Sequence, residues 1–171
     1  MRTLIIYSSK YGAAKEVAEQ IKRGLEGTCD LMSIRQEQEI DLGKYDRVLL
    51  GTSVYAGQIG KEIKTFAEVH KDELLEKKVG IFFVCLMKGQ VEKYLKENFS
   101  EELMNHFYTA EECGGAFYVS KMNFAERMIT RMVVKTLKDS EGNPIKYNKK
   151  MIYKDFNQPA MDRVIEATKR A

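Results

Sequence analysis

Seven residues near the amino terminus have types and spacing that could do chemistry: Ser8, Ser9, Lys10, Tyr11, Gly12, Ala13 and Ala14. They follow a short apolar run, Leu4 to Tyr7. After them Val17, Ala18, Ile21 and Leu25 recur at helical steps. A strand, a tight polar turn and a helix start leave backbone N–H groups without intrahelical partners, and such groups suit an anion. Two hydroxyls and the Lys10 ammonium add donors, so the ligand this loop favours is a phosphate. There is no G-x-G-x-x-G dinucleotide turn here and no G-x-x-x-x-G-K-[ST] loop. The same residues also read as an ordinary strand-to-helix turn with capping serines.

Two further polar stretches end apolar runs. Thr52-Ser53-Val54-Tyr55-Ala56-Gly57 follows Val48 to Gly51, and Cys85-Leu86-Met87-Lys88-Gly89 closes the run that starts at Val79. Strands are expected near the start and over 29–34, 48–51, 79–85 and 116–119. Helices are expected over 14–25, 60–69, 89–97, 100–107, 123–138 and 158–169, with polar loops at 35–44 and 139–150. Strands alternating with helices imply an α/β fold: a parallel sheet with helices on both faces, forming one domain over residues 1–171. In such sheets ligands bind at the carboxyl ends of the strands, where the polar stretches lie.

The composition, 44% hydrophobic and 31% charged, is that of a soluble globular protein. Its apolar runs fall far short of the roughly 20 residues that span a bilayer. The chain runs straight into a strand, with no signal peptide, and its three scattered cysteines make no disulfide framework. A reducing, cytoplasmic setting follows as the expectation. His70 and His106 stand alone, and no metal-ligand spacing is present.

Net charge is only +3, but residues 121–154 hold nine Lys and Arg against three acids, a net of +6 that leaves the rest at −3. Arg127, Arg131, Lys135 and Lys138 share about one quadrant of the expected helix. Met128, Ile129, Met132 and Val133 adjoin them. A basic stripe beside a methionine-rich face suits an anionic membrane surface, at the inner face of the cell membrane, or a carboxylate-bearing ligand. It also describes an ordinary amphipathic helix covering the sheet. No nucleic acid is expected as a partner.

The first loop resembles the phosphate loop of flavodoxin-like proteins, [ST]-x-[ST]-x-G-x-[ST], with Ser8, Lys10, Gly12 and Ala14 on its key positions. Lys10 and Ala14 depart from the usual hydroxyls. The resemblance implies a flavodoxin-like three-layer sandwich with a five-stranded parallel sheet in the order 2-1-3-4-5. It also implies FMN held by three loops: residues 8–14; Thr52, Ser53, Val54, Tyr55, Ala56 and Gly57; and Cys85, Leu86 and Met87. Tyr55 falls where the family often stacks an aromatic on the isoalloxazine ring. Lys88 stands where classical flavodoxins are acidic and would favour an anionic reduced ring. Cys85 reads either as a ring contact or as a buried structural thiol.

Over nearly its whole length the chain resembles the menaquinone-dependent protoporphyrinogen dehydrogenases of haem synthesis. The likeness rests on Thr3-Leu4-Ile5-Ile6-Tyr7-Ser8, on Tyr45-Asp46-Arg47-Val48-Leu49-Leu50-Gly51-Thr52-Ser53, on Arg127-Met128-Ile129 with Met132, and on Ile152-Tyr153-Lys154-Asp155-Phe156. It implies an oxidoreductase acting on a porphyrinogen-type substrate and delivering electrons to a membrane quinone. The rivals are a flavodoxin electron carrier docking on redox protein partners, an NAD(P)H-dependent quinone reductase on the same fold, and a domain that has lost its flavin.

Overall fold

A computed structural model of the chain describes residues 1–25, 27–36, 39–55, 57–138 and 142–171. Ala56 and residues 139–141 of the expected polar loop lie outside the described residues.

The first strand, β1 (Thr3–Ser8), is buried from end to end. It pairs in parallel with β2 (Cys29–Ser33) on one side and with β3 (Arg47–Tyr55) on the other. A two-residue strand, β4 (Gln58–Ile59), folds back antiparallel on the end of β3. β5 (Lys78–Val84) and β6 (Phe107–Glu112) complete the sheet in parallel. The parallel order β2-β1-β3-β5-β6 is the expected 2-1-3-4-5, counted over parallel strands.

Residue parity along the strands builds two cores. Leu4, Ile6, Val48, Leu50, Ile81 and Phe83 face one side. There they meet Ile63 and Phe66 of α2 (Lys61–Val69), Leu74 of α3 (Lys71–Leu75), Tyr94 of α4 (Val91–Asn98) and Leu103 of α5 (Glu101–His106). The alternate residues Ile5, Tyr7, Leu49, Phe82 and Val84 face α1 (Ala13–Gly24) and the carboxyl-terminal helix (Gln158–Arg170). That makes three layers.

One strand expectation is corrected. Ala116–Val119 is not the fifth strand of the sheet. The residues Gly114–Tyr118 form β7, which pairs antiparallel with β8 (Ile152–Phe156) in a separate two-stranded sheet. The fifth parallel strand is β6, preceding it. β6 is an edge strand, partly exposed along its length, and its sequence Phe-Tyr-Thr-Ala-Glu-Glu ends in two acids. Its half-solvated pattern hides it from a search for apolar runs. Between β7 and β8 lies α6 (Phe124–Val134), four residues shorter than expected at its carboxyl end. This appendage has its own small core of Val119, Val134 and Met151. The last helix is α7, residues 158–170.

Candidate functional site

The first loop joins β1 to α1. Gly12 takes φ +112°, a left-handed conformation that a side chain disfavours, and its carbonyl accepts from Glu16 N–H at 2.9 Å. The Ser9 hydroxyl accepts from the N–H groups of Gly12 at 3.1 Å and Ala14 at 3.2 Å. The N–H groups of Lys10, Tyr11 and Ala13 have no protein acceptor among the described residues. Ala14 is fully buried against the sheet, so it helps to seat the helix.

Three side-chain donors of this loop are spent on carboxylates. Ser8 Oγ donates to Glu62 at 3.0 Å, and Arg35 donates to Ser8 Oγ at 3.4 Å while pairing with Glu62 at 2.7 Å. The Lys10 ammonium pairs with Glu126, and the Tyr11 hydroxyl donates to the same carboxylate. Burial alone would raise the Glu126 pKa, but the bonds from Lys10 and Tyr11 outweigh it and hold the carboxyl below its ordinary value. The Lys10 pKa is raised, chiefly by the bond to Glu126.

In the second loop, Thr52 is fully buried and its hydroxyl accepts from Gly60 N–H at 2.9 Å, tying the residue after β4 back to β3. Gly57, between β3 and β4, has φ +79°. Ser53 is buried, and its hydroxyl has no hydrogen-bond partner within 3.5 Å among the described residues. It lines a hollow of about 40 Å³ between Ala13, Val84 and Gly115 at the strand ends. Tyr55 meets Tyr11 edge-to-face, ring centres 6.0 Å apart, and burial pushes its phenol up to about 12.

The third loop is fixed by Glu112, whose carboxylate accepts from Gly89 N–H at 2.7 Å and Gln90 N–H at 2.6 Å. Cys85 is buried, its thiol is pushed up to about 11 by desolvation, and its Sγ donates to the Met87 carbonyl at 3.1 Å. Those features describe an inert thiol. Met87 is exposed.

Val54, Tyr55 and Gly57 of the second loop, and Cys85, Leu86 and Met87 of the third, line one apolar cleft of about 280 Å³. Tyr94 of α4 and Phe117 of β7 also line it, and α6 with its approach supplies the rest of the wall through Met122, Glu126, Ile129, Thr130 and Val133. Lys88 does not line it; it borders a separate polar hollow beside Glu112 and Asp155. Glu126 therefore touches both the first loop and the cleft.

Glu126, Glu62 and Glu112 were not among the expected site residues; of the α6 wall, Ile129 and Val133 were expected on a membrane- or ligand-facing stripe, not in a cleft with the strand-end loops. A signal for one of them was present: Asn123 and Glu126 have capping-box spacing, and the box forms, with both bonds at 2.9 Å.

A flat ring carrying a phosphate on a short tail fits this arrangement. The cleft offers an apolar slot with an aromatic wall, and among the described residues the Ser53 hydroxyl at the strand ends and the N–H groups of the neighbouring loop are unpaired. Among the described residues, no three His, Cys, Asp or Glu side chains gather as a metal site. No helix of the described residues is long and apolar enough to cross a membrane.

Residues 4–143 match the flavodoxin domain family, and the chain belongs to it. Along 169 residues the chain is 24% identical to the protoporphyrinogen IX dehydrogenase [quinone] of Escherichia coli (strain K12), covering 94% of this chain and 91% of that protein. The protein of the same description from Leishmania major is 22% identical over 165 residues, covering 91% and 70%. Among solved structures, the rubredoxin oxygen:oxidoreductase of Desulfovibrio gigas superposes on 75% of this chain and 33% of its own, with a TM-score of 0.51 and 16% identity.

Proposed function

We propose that the chain is a one-domain FMN flavoprotein that oxidises protoporphyrinogen IX to protoporphyrin IX and passes the electrons to a quinone. The observation that carries this reading is the meeting of the strand-end loops around one apolar cleft beside a loop with unpaired N–H groups. Family membership and the full-length likeness to protoporphyrinogen dehydrogenases support the choice of substrate.

The N–H groups of Lys10, Tyr11 and Ala13 would receive the phosphate at the amino-terminal end of α1, with Gly12 giving the turn. Tyr55 would stack on the ring, and the Ser53 hydroxyl would meet its polar edge. Thr52, by tying Gly60 back to β3, closes the open end of the hairpin that carries Tyr55. Backbone at Gly57 and the segment Cys85 to Met87 would close the slot. FMN supplies the acceptance of electrons from the substrate and their release to the quinone. The α6 wall excludes water and gives a large apolar substrate a surface to lie on.

The exposed side of α6 carries Phe124, Met128, Ile129 and Met132, with Arg131 and Lys135 beside them. We assign this face to an anionic membrane surface, where a lipid-soluble quinone is available.

The test is anaerobic. The protein is reconstituted with FMN, protoporphyrinogen is added, and flavin bleaching and protoporphyrin fluorescence are followed with and without a menaquinone analogue. Bleaching, then turnover sustained only with quinone, is the expected result. A flavin spectrum that ignores the porphyrinogen would overturn the enzyme reading in favour of an electron carrier.

A further inference from the structure

The first loop already holds an anion of the protein's own. Lys10 and Tyr11 converge on the Glu126 carboxylate, which comes from the first turn of α6, 116 residues further along the chain. Asn123 N–H anchors the same carboxylate at 2.9 Å, and the Lys121 ammonium donates to the Tyr11 carbonyl at 3.2 Å. The start of α6 is thus tied to the loop by three bonds, and the same helix walls the cleft.

A phosphate monoester carries more negative charge than a carboxylate and offers three acceptor oxygens, so it competes well for an ammonium and a hydroxyl. It also repels a carboxylate that stays beside it.

We propose that Glu126 is a latch: it serves as the counter-anion of the phosphate loop, and a phosphate entering the loop displaces it and frees the first turn of α6. The proposal rests on FMN binding at this loop. It makes binding ordered. The apolar cleft is present with the latch closed, so the ring can enter without breaking it. The phosphate then releases the wall helix, and substrate gains access only after the cofactor is seated. Glu126 is a positioning residue in this scheme. Linkage requires the reverse effect as well: whatever holds α6 on the loop weakens phosphate binding.

The variant that tests this is Glu126→Gln, because glutamine also serves at the third position of a capping box and preserves the helix start. Dissociation constants for FMN and for riboflavin, which lacks the phosphate, are read from flavin fluorescence. The latch predicts that the riboflavin-to-FMN ratio of dissociation constants rises about fivefold to tenfold in the variant, since FMN no longer breaks a charge-assisted bond. It also predicts faster amide hydrogen exchange over residues 124–134 when millimolar inorganic phosphate is added to the parent protein, and no such response in Glu126→Gln. An unchanged or lower ratio would make Glu126 only a helix cap and overturn the latch. If the parent binds neither flavin, the FMN reading fails separately. The inorganic phosphate arm then decides the latch by itself: a helix that exchanges no faster with phosphate overturns it.

Discussion

Helices α1 and α6 are both amphipathic, and they dispose of their apolar faces in opposite ways. α1 buries Ala13, Ala14, Val17, Ala18 and Ile21 against the sheet. α6 buries only Thr130 and Val134, while Phe124 is 80% and Met132 70% exposed. The face of α1 is consumed in building the fold and in seating the first loop. Most of the apolar face of α6 is left exposed, and the wall it turns toward the cleft is held by polar ties such as Glu126. The apolar face of α1 goes into the core, and much of that of α6 stays exposed.

The difference is broken most directly by truncation. Ile21→Ala should cost about 2–5 kcal/mol in urea unfolding, the usual range for a fully packed aliphatic side chain. Met132→Ala should stay within about 0.5 kcal/mol. Equal costs would mean that α6 packs like α1 and has no free face.

The charge beside that face gives the next effect. Reversing Arg131, Lys135 and Lys138 to Glu should reduce binding to anionic vesicles by two orders of magnitude or more, at about 1 kcal/mol per basic residue near such a surface. Arg127 is spared because it donates to the carbonyls of Val119 and Ser120, both at 3.1 Å, and so holds the appendage together. Vesicle binding that is unchanged, or absent in the parent, contradicts the membrane face.

A smaller effect sharpens the same contrast within the core. A Cβ at Gly51 would lie 2.2 Å from the ring of the fully buried Phe82. Gly51→Ala should therefore cost about 1–3 kcal/mol by overpacking, read as a lower urea midpoint.

The smallest effect is on pH. Glu16 of α1 accepts from Lys154 at 2.6 Å and from the Tyr118 hydroxyl, tying α1 to β7 and β8. Burial raises its pKa, but these bonds outweigh it and hold the carboxyl below 4.5. Its contribution is therefore fully present above pH 4.5 and is lost as pH falls through the lower folded value. Melting temperature between pH 6 and 3 should fall less steeply in Glu16→Gln than in the parent.

The central strands were legible because parallel strands buried on both faces are continuous apolar runs, and β1, β3 and β5 read that way. The first loop was legible because strand, turn and helix are contiguous in sequence. β6 was missed because an edge strand needs no apolar run. The partners of the first loop were invisible for another reason: Ser8 and Glu62 are 54 residues apart, and Lys10 and Glu126 are 116 apart. No local pattern encodes such pairs, since the sheet and the appendage bring them together. The methionine-rich face of α6 was seen, and burial decided between core and surface.

The most direct test of the account is a titration of the flavin-free protein with FMN, followed by flavin fluorescence, alongside Tyr55→Leu. The account predicts quenching that saturates at one FMN per chain and much weaker quenching and binding in Tyr55→Leu. Fluorescence that stays unquenched in the parent at any protein concentration would contradict it.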